Sequence, residues 1–383
     1  MPHYIDPRSN RTFALDTPIW RSPSGHPLLL TRLGAIQPEA IDHATRSLWR
    51  YRKSFPIDVQ SPISMGEGCT PLVASTFADA RCLFKLEWFS PTGSFKDRGT
   101  SVMLSMLRQQ GVASVLEDSS GNGGSSVAAY GAAGGMRVKV LVPASTSAAK
   151  IVQIRAYGAQ VELIPGPREA TEAAAIAQSS QTFYASHNWH PFFLQGTKTL
   201  GYELWEDLDF TAPDNIIIPV GAGSNLLGCH MAFEELKSSA QIKRMPRLFA
   251  SQPANCAPLH ASFQAASNDY VDCEFHPTIA EGTAIKRPIR LPEMLKAIRE
   301  TNGGTVAVSE AAIVDASLAL ARQGLYVEPT CAHAAAAFST LLKNGTINEA
   351  DKTVVVLTGT GLKTTAFYDD LLTGKRDESV DAS

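Results

Sequence analysis

Residues 90–99 read SPTGSFKDRG, and the fold and chemistry of this chain can be worked out from that stretch. Ser94 and Asp97 have the spacing of a helix capping box, so we expect Lys96 in the first turn of a helix. The positive end of the helix dipole and the adjacent Arg98 both disfavour a protonated ammonium, and desolvation adds to their effect. The stretch therefore predicts a lysine biased toward the neutral amine, as a nucleophile that forms a Schiff base requires. An ordinary exposed lysine in a helix is the alternative.

Residues 118–126, DSSGNGGSS, are the second informative stretch and lie between a predicted strand and a predicted helix. Small hydroxyl residues and glycines in such a loop leave backbone N–H groups free to hold an anion. We interpret the loop as a site for a substrate carboxylate, and a plain strand-to-helix turn is the alternative. The candidate residues are Ser119, Ser120, Gly121 and Asn122.

Residues 220–225, VGAGSN, form a similar turn in which glycines let a phosphate approach the backbone closely. A Rossmann dinucleotide site fits poorly, because the glycines at 221, 223 and 228 give GxGxxxxG and no acidic residue follows about twenty positions on. The candidate phosphate ligands are Gly221, Ala222, Gly223, Ser224 and Asn225.

Residues 357–363, LTGTGLK, follow a predicted strand and present Thr358 as a neutral hydroxyl. The four stretches then supply a lysine, a carboxylate site, a phosphate site and a hydroxyl, all at the carboxyl ends of predicted parallel strands. Pyridoxal 5'-phosphate needs all four, since it carries an aldehyde, a phosphate and a ring nitrogen, and its amino-acid substrate brings the carboxylate.

The order of elements predicts an α/β protein with parallel-rich twisted sheets flanked by helices. A small sheet is expected from four strands near 113–118, 138–142, 160–164 and 182–185, joined by helices near 123–133, 147–157 and 168–179. A larger sheet is expected from strands near 215–220, 247–252, 306–309 and 353–357. The first sixty residues are Pro-rich and are predicted to be irregular apart from a helix over 38–52.

Composition excludes several classes of protein. The chain has 383 residues, of which 44% are hydrophobic and 19% charged, and its net charge of −3 shows no basic footprint for nucleic acid. Six dispersed cysteines form no CxxC pair, so we expect no metal site. No apolar run reaches the roughly 18 residues of a membrane span, so we expect no membrane partner and a cytoplasmic location.

The chain resembles fold-type II pyridoxal-phosphate enzymes (the tryptophan synthase β-like fold) and within them the threonine synthase-like family. The resemblance runs in order over most of the chain. Besides the four stretches above, it is carried by SLWRYRKSFP (47–56), GEGCTPLV (66–73), LVPASTSAAKIVQIRAYGAQV (141–161), GTKT (196–199), EGTAIKRP (281–288) and LYVEPT (325–330). It implies an N-terminal extension (1–60), a large pyridoxal-phosphate-binding domain (61–105 and 186–383), a small domain (106–185) and a homodimer.

The resemblance also implies roles for the candidate residues. Lys96 binds the cofactor aldehyde and is the catalytic base and acid, Asn122 bonds the ring hydroxyl, and Thr358 faces the ring nitrogen. The implied reaction converts O-phosphohomoserine and water to threonine and phosphate. It needs a second anion site, for which the candidates are Thr197 and Lys198 of GTKT, with Lys150 and Arg155 on the preceding helix.

Other reactions of the same family stay open. Thr360 stands where LTGHGLK is common, and Gly123 and Gly124 extend the SSGN loop, where we expect them to loosen or widen it. The segment HPTIAEGTAIKRP is as similar to threonine and serine dehydratases or diaminopropionate ammonia-lyases, and a β-replacement enzyme is a further alternative. A non-catalytic protein that keeps the fold is a different class, and the intact Lys96 argues against it. For His187 and His190, which are loosely spaced like metal ligands, we expect stacking or capping.

Overall fold

The structure is a computed structural model that describes residues 2–146 and 148–374. Its strands are β1 (His3–Ile5), β2 (Thr12–Ala14), β3 (Leu29–Leu30), β4 (Leu72–Phe77), β5 (Ala80–Leu86), β6 (Ser114–Glu117), β7 (Arg137–Pro143), β8 (Gln160–Ile164), β9 (Phe183–Tyr184), β10 (Asn215–Pro219), β11 (Arg247–Pro253), β12 (Gly304–Val308) and β13 (Thr353–Leu357). Its α-helices are α1 (Lys96–Gln109), α2 (Asn122–Ala133), α3 (Ala148–Ala156), α4 (Arg168–Gln178), α5 (Pro191–Asp207), α6 (Ser224–Ser238), α7 (Pro258–Gln264), α8 (Leu291–Glu300), α9 (Glu310–Arg322), α10 (Pro329–Lys343) and α11 (Thr365–Leu372).

The predicted small sheet is present, with the strand order β8-β7-β6-β9 and all neighbours parallel. Its strands read as short apolar runs because helices cover a parallel sheet on its faces. Val140, Leu141 and Val142 of β7 are fully buried for that reason. Helices α2, α3 and α4 connect the strands, as the alternating sequence pattern predicts.

The larger sheet has six strands in the order β12-β11-β10-β13-β5-β4, and only β4 runs antiparallel. Four of these strands were expected, but the β4–β5 hairpin was not. Its turn residues are Ala78 and Asp79, both with positive φ (49° and 62°). Turns of this kind usually carry Asn-Gly or Asp-Gly, so the sequence lacks the usual hairpin signal.

The N-terminal prediction is wrong in two respects. Strands β1, β2 and β3 form a small antiparallel sheet, and the expected helix over 38–52 is replaced by two 3-10 segments, Pro38–Ala40 and Leu48–Ser54. The side chain of Asp42 accepts hydrogen bonds from the Ala44 amide (3.2 Å) and the Thr45 hydroxyl (2.7 Å). Such a turn competes with helical hydrogen bonding and separates the two segments.

The sheets place several loops at one edge. Because β5 and β13 are parallel and Leu86 is paired with Leu357, the chain leaves both strands at the same point. The loop before α1 then follows the loop after β13, and the Phe95 amide donates to the Thr358 carbonyl (3.0 Å). No described helix is long and apolar enough to cross a lipid bilayer.

A buried ionic cluster fixes α1 to α5. The guanidinium of Arg98 donates to both carboxylate oxygens of Glu87 (2.7 and 2.8 Å) and to Glu203 (2.9 Å). Lys85 contacts Glu203 at 2.7 Å from the other side. The Arg98 side chain is fully buried, and the side chains of Glu87 and Glu203 are fully or almost fully buried. Because water does not reach these charges, each one is stabilised by its oppositely charged partners.

We expect Arg98→Met to lower the free energy of unfolding by about 3–5 kcal/mol, because two buried carboxylates lose their partner. The control is Arg52→Met, since Arg52 is half exposed and lies 3.9 Å from Asp58. A surface pair of this kind contributes about 0–1 kcal/mol. Urea denaturation followed by circular dichroism measures both, and equal losses would contradict the role of Arg98 as the anchor of α1.

Candidate active site

A cavity of about 370 Å³ lies at the carboxyl ends of the strands and brings most of the predicted site residues together. This volume suits a small cofactor with its substrate. The predicted residues that line it are Lys96, Ser119, Ser120, Gly121, Asn122, Gly221, Ala222, Gly223, Ser224, Asn225 and Thr358.

Lys96 is the first residue of α1, as predicted, but the capping box is not formed. The hydroxyl of Ser94 is buried without a hydrogen-bond partner, and Phe95 occupies the N-cap position. Asp97 turns inward instead and accepts from the amide and hydroxyl of Thr92 and from the hydroxyl of Ser126, each at 2.7 Å. These bonds fix the loop that a capping box was expected to fix.

The Lys96 amine lines the cavity and faces aromatic rings. Its Nζ lies 4.7 Å from the ring centre of Phe95 and 5.6 Å from that of Phe193. Burial lowers the pKa of Lys96 to about 7, although the nearby Glu117 carboxylate opposes the shift. The amine is therefore substantially neutral at physiological pH.

Arg98 does not cause this shift, which corrects the expectation from the sequence. Its charge is neutralised by Glu87 and Glu203 beneath the helix. The cation that acts on Lys96 is Arg168, at the start of α4.

The turn at 221–225 has the form of a phosphate cradle. Gly223 has φ of 85°, and a Cβ at Gly221 would lie 3.0 Å from the Thr283 Cα, so neither position accepts a larger residue without strain. Helix α6 begins at Ser224 and directs its first amides at the turn. Both polar atoms of the Asn225 side chain are buried without a partner. An anion in the turn would satisfy the Nδ2 donor.

The loop at 119–122 joins β6 to α2, as predicted, but Gly123 and Gly124 do not loosen it. Both lie inside α2. A Cβ at Gly124 would lie 1.9 Å from the Ser119 carbonyl oxygen, and one at Gly123 would lie 2.7 Å from the His187 ring. The glycines therefore allow a tight turn against the helix and do not widen the loop.

The amide of Asn122 is engaged on both sides. Its nitrogen donates to the Glu328 carboxylate (3.1 Å), and its oxygen accepts from Lys363 (3.0 Å). The same carboxylate lies against Gly359, next to the buried Thr358. The amide oxygen has a second lone pair, so Asn122 can also accept a hydrogen bond from a cofactor hydroxyl.

Thr197 and Lys198 do not reach the cavity, which corrects their interpretation as substrate ligands. The Lys198 side chain is fully buried, and its Nζ donates to the Ser54 carbonyl (2.7 Å) and to Glu235 (3.1 Å). The Thr197 hydroxyl donates to the Leu194 and Ser224 carbonyls within the helix pair. These residues join α5 to α6.

Several cavity residues were not predicted as site residues, among them Glu328, Arg168, Asp118 and His187. His190 does cap α5, by accepting from the Phe192 amide (3.2 Å), and this expectation is confirmed. His187 instead lies in the cavity wall with its Nδ1 3.0 Å from Glu117. The sequence gives little indication that His187 pairs with Glu117, since the two residues are 70 positions apart.

The residues present fit pyridoxal phosphate. A lysine with a lowered pKa suits the aldehyde of the cofactor. The side-chain amide of Asn225 lacks the hydrogen-bond partner that a phosphate would supply, and Thr358 offers a hydroxyl. Lys96, residues 221–225 and Thr358 would hold the group.

The family model described as pyridoxal-phosphate dependent enzyme matches residues 63–359. The threonine synthase of Methanocaldococcus jannaschii is 33% identical over 337 residues, which cover 86% of this chain and 83% of that protein. The threonine synthase of Methanosarcina acetivorans is 32% identical over 338 residues, with the same coverage. A fungal L-serine ammonia-lyase from Rhizomucor miehei superposes with a TM-score of 0.70 at 23% identity, over 82% of this chain and 99% of that one. The predicted fold class and cofactor are confirmed.

We expect pyridoxal phosphate to be trapped by borohydride on Lys96. Because the pKa of Lys96 is lowered to about 7, adduct formation should rise steeply between pH 6 and 8 and then level off. Exposed lysines, with pKa values of about 10.4, would still be rising there. Peptide mapping provides the control in the same sample, since the buried Lys198 should remain unlabelled. An adduct spread over surface lysines would contradict the assignment.

We expect Asn225→Ala to weaken pyridoxal phosphate binding by about 10- to 100-fold, the loss of one hydrogen bond to a charged group. Pyridoxal without its phosphate is the matched ligand, and its affinity should be the same for both proteins. Fluorescence titration measures the four dissociation constants. Equal losses for the two ligands would show that Asn225 does not face the phosphate.

Proposed function

Because the chain belongs to the family of pyridoxal-phosphate dependent enzymes, we propose that it converts O-phosphohomoserine and water to threonine and inorganic phosphate. One observation carries the chemistry: Lys96, with its lowered pKa, lies in one cavity with the 119–122 loop and the 221–225 turn. The threonine synthases among the relatives support this choice of substrate.

Lys96 is the base and acid of the proposed reaction. With a pKa of about 7, its neutral amine can remove the α-proton of the substrate, and the resulting ammonium can return a proton. When bound, pyridoxal phosphate supplies the electron sink for the carbon that loses this proton. The amides of the 119–122 loop, at the start of α2, would hold the substrate carboxylate.

Arg168 is our candidate for the substrate phosphate. Among the described cavity residues, it and Lys96 are the two with cationic side chains. It is exposed at the first position of α4, where a positive charge opposes the helix dipole and is unfavourable by about 0.3–1 kcal/mol. Helix stability therefore does not explain an arginine at this place, whereas a phosphate ligand does.

A second candidate is α,β-elimination without a γ-phosphate, as in serine and threonine dehydratases or diaminopropionate ammonia-lyases, or a related β-replacement. The acidic lining favours it, because Asp118 and Glu328 both face the cavity and would repel a phosphate. The position of Lys198, outside the cavity, also removes one expected phosphate ligand.

The organisation expected from the sequence remains our proposal. A large domain (61–105 and 186–383) and a small one (106–185) agree with the two separate sheets. We also propose a homodimer located in the cytoplasm. Light scattering after size-exclusion chromatography tests the dimer, and cell fractionation tests the cytoplasmic location.

The holoenzyme should release phosphate from O-phosphohomoserine and form threonine. The experiment compares this substrate with serine, threonine and 2,3-diaminopropionate, and measures phosphate and ammonia in parallel. Ammonia from the other substrates with no phosphate release would replace the synthase proposal with the elimination proposal. No turnover of any of them would refute both.

We expect Arg168→Gln to raise KM for O-phosphohomoserine by about 10- to 100-fold with little change in kcat, because a charge-assisted hydrogen bond to the phosphate is lost. Arg155→Gln is the control, since Arg155, the other arginine considered as a phosphate ligand, is also exposed but lies in the last turn of α3 and does not line the cavity. Steady-state kinetics of phosphate release measures both variants. An unchanged KM for Arg168→Gln would contradict the role of this residue.

A further inference from the structure

Glu117 and His187 form a buried pair at the edge of the small sheet. Glu117 is the last residue of β6, and His187 follows β9, which is parallel to β6, so both lie at the same edge. The His187 Nδ1 lies 3.0 Å from Glu117 Oε1, and the His187 amide donates to Glu117 Oε2 (3.2 Å). The carboxyl group therefore holds the histidine by both its ring and its backbone.

The ring of His187 is fixed in the cavity wall. Its side chain is 5% exposed, while that of Glu117 is fully buried. The ring packs against Gly123 and lies 5.7 Å from the ring of Phe193, which also faces the Lys96 amine. Because Nδ1 is bound to Glu117, Nε2 is the ring nitrogen that can serve a group in the cavity.

The pair can hold one proton without becoming charged. Burial raises the pKa of Glu117 to about 7 and moves the pKa of His187 well below its usual value. With Glu117 protonated, its O–H donates to Nδ1 and the ring carries its proton on Nε2. The charged and titratable groups that act on the pair come from α1, α4, β9 and the loop after β6: Lys96, Arg168, Tyr184 and Asp118.

We infer that His187, held by Glu117, is a further catalytic residue that handles the proton of the oxygen at the substrate β-carbon. The inference rests on the proposed function, and it applies to the synthase reaction, in which water adds at this carbon, and to the dehydratase form of the second candidate, in which hydroxide leaves it. His187 acts as the acid when hydroxide leaves and as the base when water adds.

Every proton in the step is accounted for by the pair, Lys96 and the solvent. In elimination, the Cα–H proton passes to Lys96 and its electron pair forms the Cα=Cβ bond. The Cβ–O bond breaks, its electron pair leaves on oxygen, and the oxygen takes the Nε2 proton of His187 to become water. The Glu117 proton moves to Nδ1, so that the ring stays neutral and the carboxylate carries the charge until solvent returns a proton. Addition of water follows the reverse path.

Substrates with different leaving groups distinguish a catalytic role of His187 from a structural one. Hydroxide needs a proton to leave, whereas chloride does not, so a missing acid slows serine and spares β-chloroalanine. We expect His187→Gln holoenzyme to lose about 10²- to 10⁴-fold in kcat/KM for serine. For β-chloroalanine the loss should be under about three-fold, with pyruvate formation as the assay.

The matched control is His190→Asn, which changes the other buried histidine of this segment and keeps a side chain that can cap α5. Its ratio of serine to β-chloroalanine turnover should equal that of the wild type. Equal losses on both substrates in His187→Gln would overturn the inference in favour of a structural role, and so would no loss on either.

Glu117→Gln tests the positioning residue. A glutamine can still bond Nδ1 but cannot release a proton, so the fall in serine elimination as pH rises through about 7 should disappear from the pH profile. In cofactor-free protein labelled with ¹⁵N-histidine, the ring signals of His187 are identified by their absence from His187→Gln. These signals should show the Nε2–H form below pH 7 and the Nδ1–H form above it. A ring that keeps one form throughout would overturn the relay.

Two further results keep the inference separable from the proposed function. Exchange of the α-proton of alanine with D₂O reports Lys96 alone and should be unchanged in His187→Gln. If the wild type shows neither this exchange nor elimination, the proposed function fails and the inference with it. If His187→Gln does not fold, wild-type serine elimination must be slower in D₂O than in water while β-chloroalanine elimination is not, and equal effects would overturn the inference.

Discussion

The low charge of one buried amine is the constraint on which the site depends. Lys96 precedes Asp97 and Arg98 in the chain, and an unpaired charge on either of these residues would shift its pKa. The structure engages both of them elsewhere: the Asp97 carboxyl group accepts three hydrogen bonds from Thr92 and Ser126, and Arg98 is paired with two carboxylates beneath α1. Lys96 is then left with aromatic rings around it, and burial becomes the main influence on its pKa. The ionic cluster under α1 is therefore part of the catalytic design, although none of its members lines the cavity.

The parallel sheets explain how separate stretches of sequence meet at this amine. Strands β6, β10 and β13 all end at the cavity, and each is followed by a turn that carries polar or glycine residues. Asn122 begins α2 after the small sheet, and it is bonded to Glu328 at the start of α10 and to Lys363 after β13, so these bonds join the two sides of the cavity. A cofactor hydroxyl bound to the same amide would link occupancy of the cavity to this contact through one side chain.

Much of this arrangement could be predicted because it is encoded locally. The lysine stretch, the two anion turns and the small sheet follow from residues close together in the chain, and the structure places them where the patterns indicate. What the sequence did not show depends on distant partners. Ser94 and Asp97 have capping-box spacing, yet Thr92 and Ser126 compete successfully for Asp97. Lys198 lies in a motif that suggests a ligand, but it is paired with Glu235 in the core.

The two candidate reactions differ in whether the substrate carries a phosphate at the γ-position, whereas both change a bond at the β-carbon. The charged groups of the cavity fall into two sets that correspond to these two positions. Arg168 is exposed at the rim, where a phosphate could bind and depart into solvent. The Glu117–His187 pair is buried beside Phe193 in the cavity wall, where the ring can pass on a proton while the ring itself stays neutral. The synthase and dehydratase reactions both make or break a carbon–oxygen bond at the β-carbon, so we propose the same pair for either of them. In the roles that we propose for these residues, the exposed arginine distinguishes a synthase from a dehydratase, and substrate specificity would be determined at the rim of the cavity, apart from the buried pair.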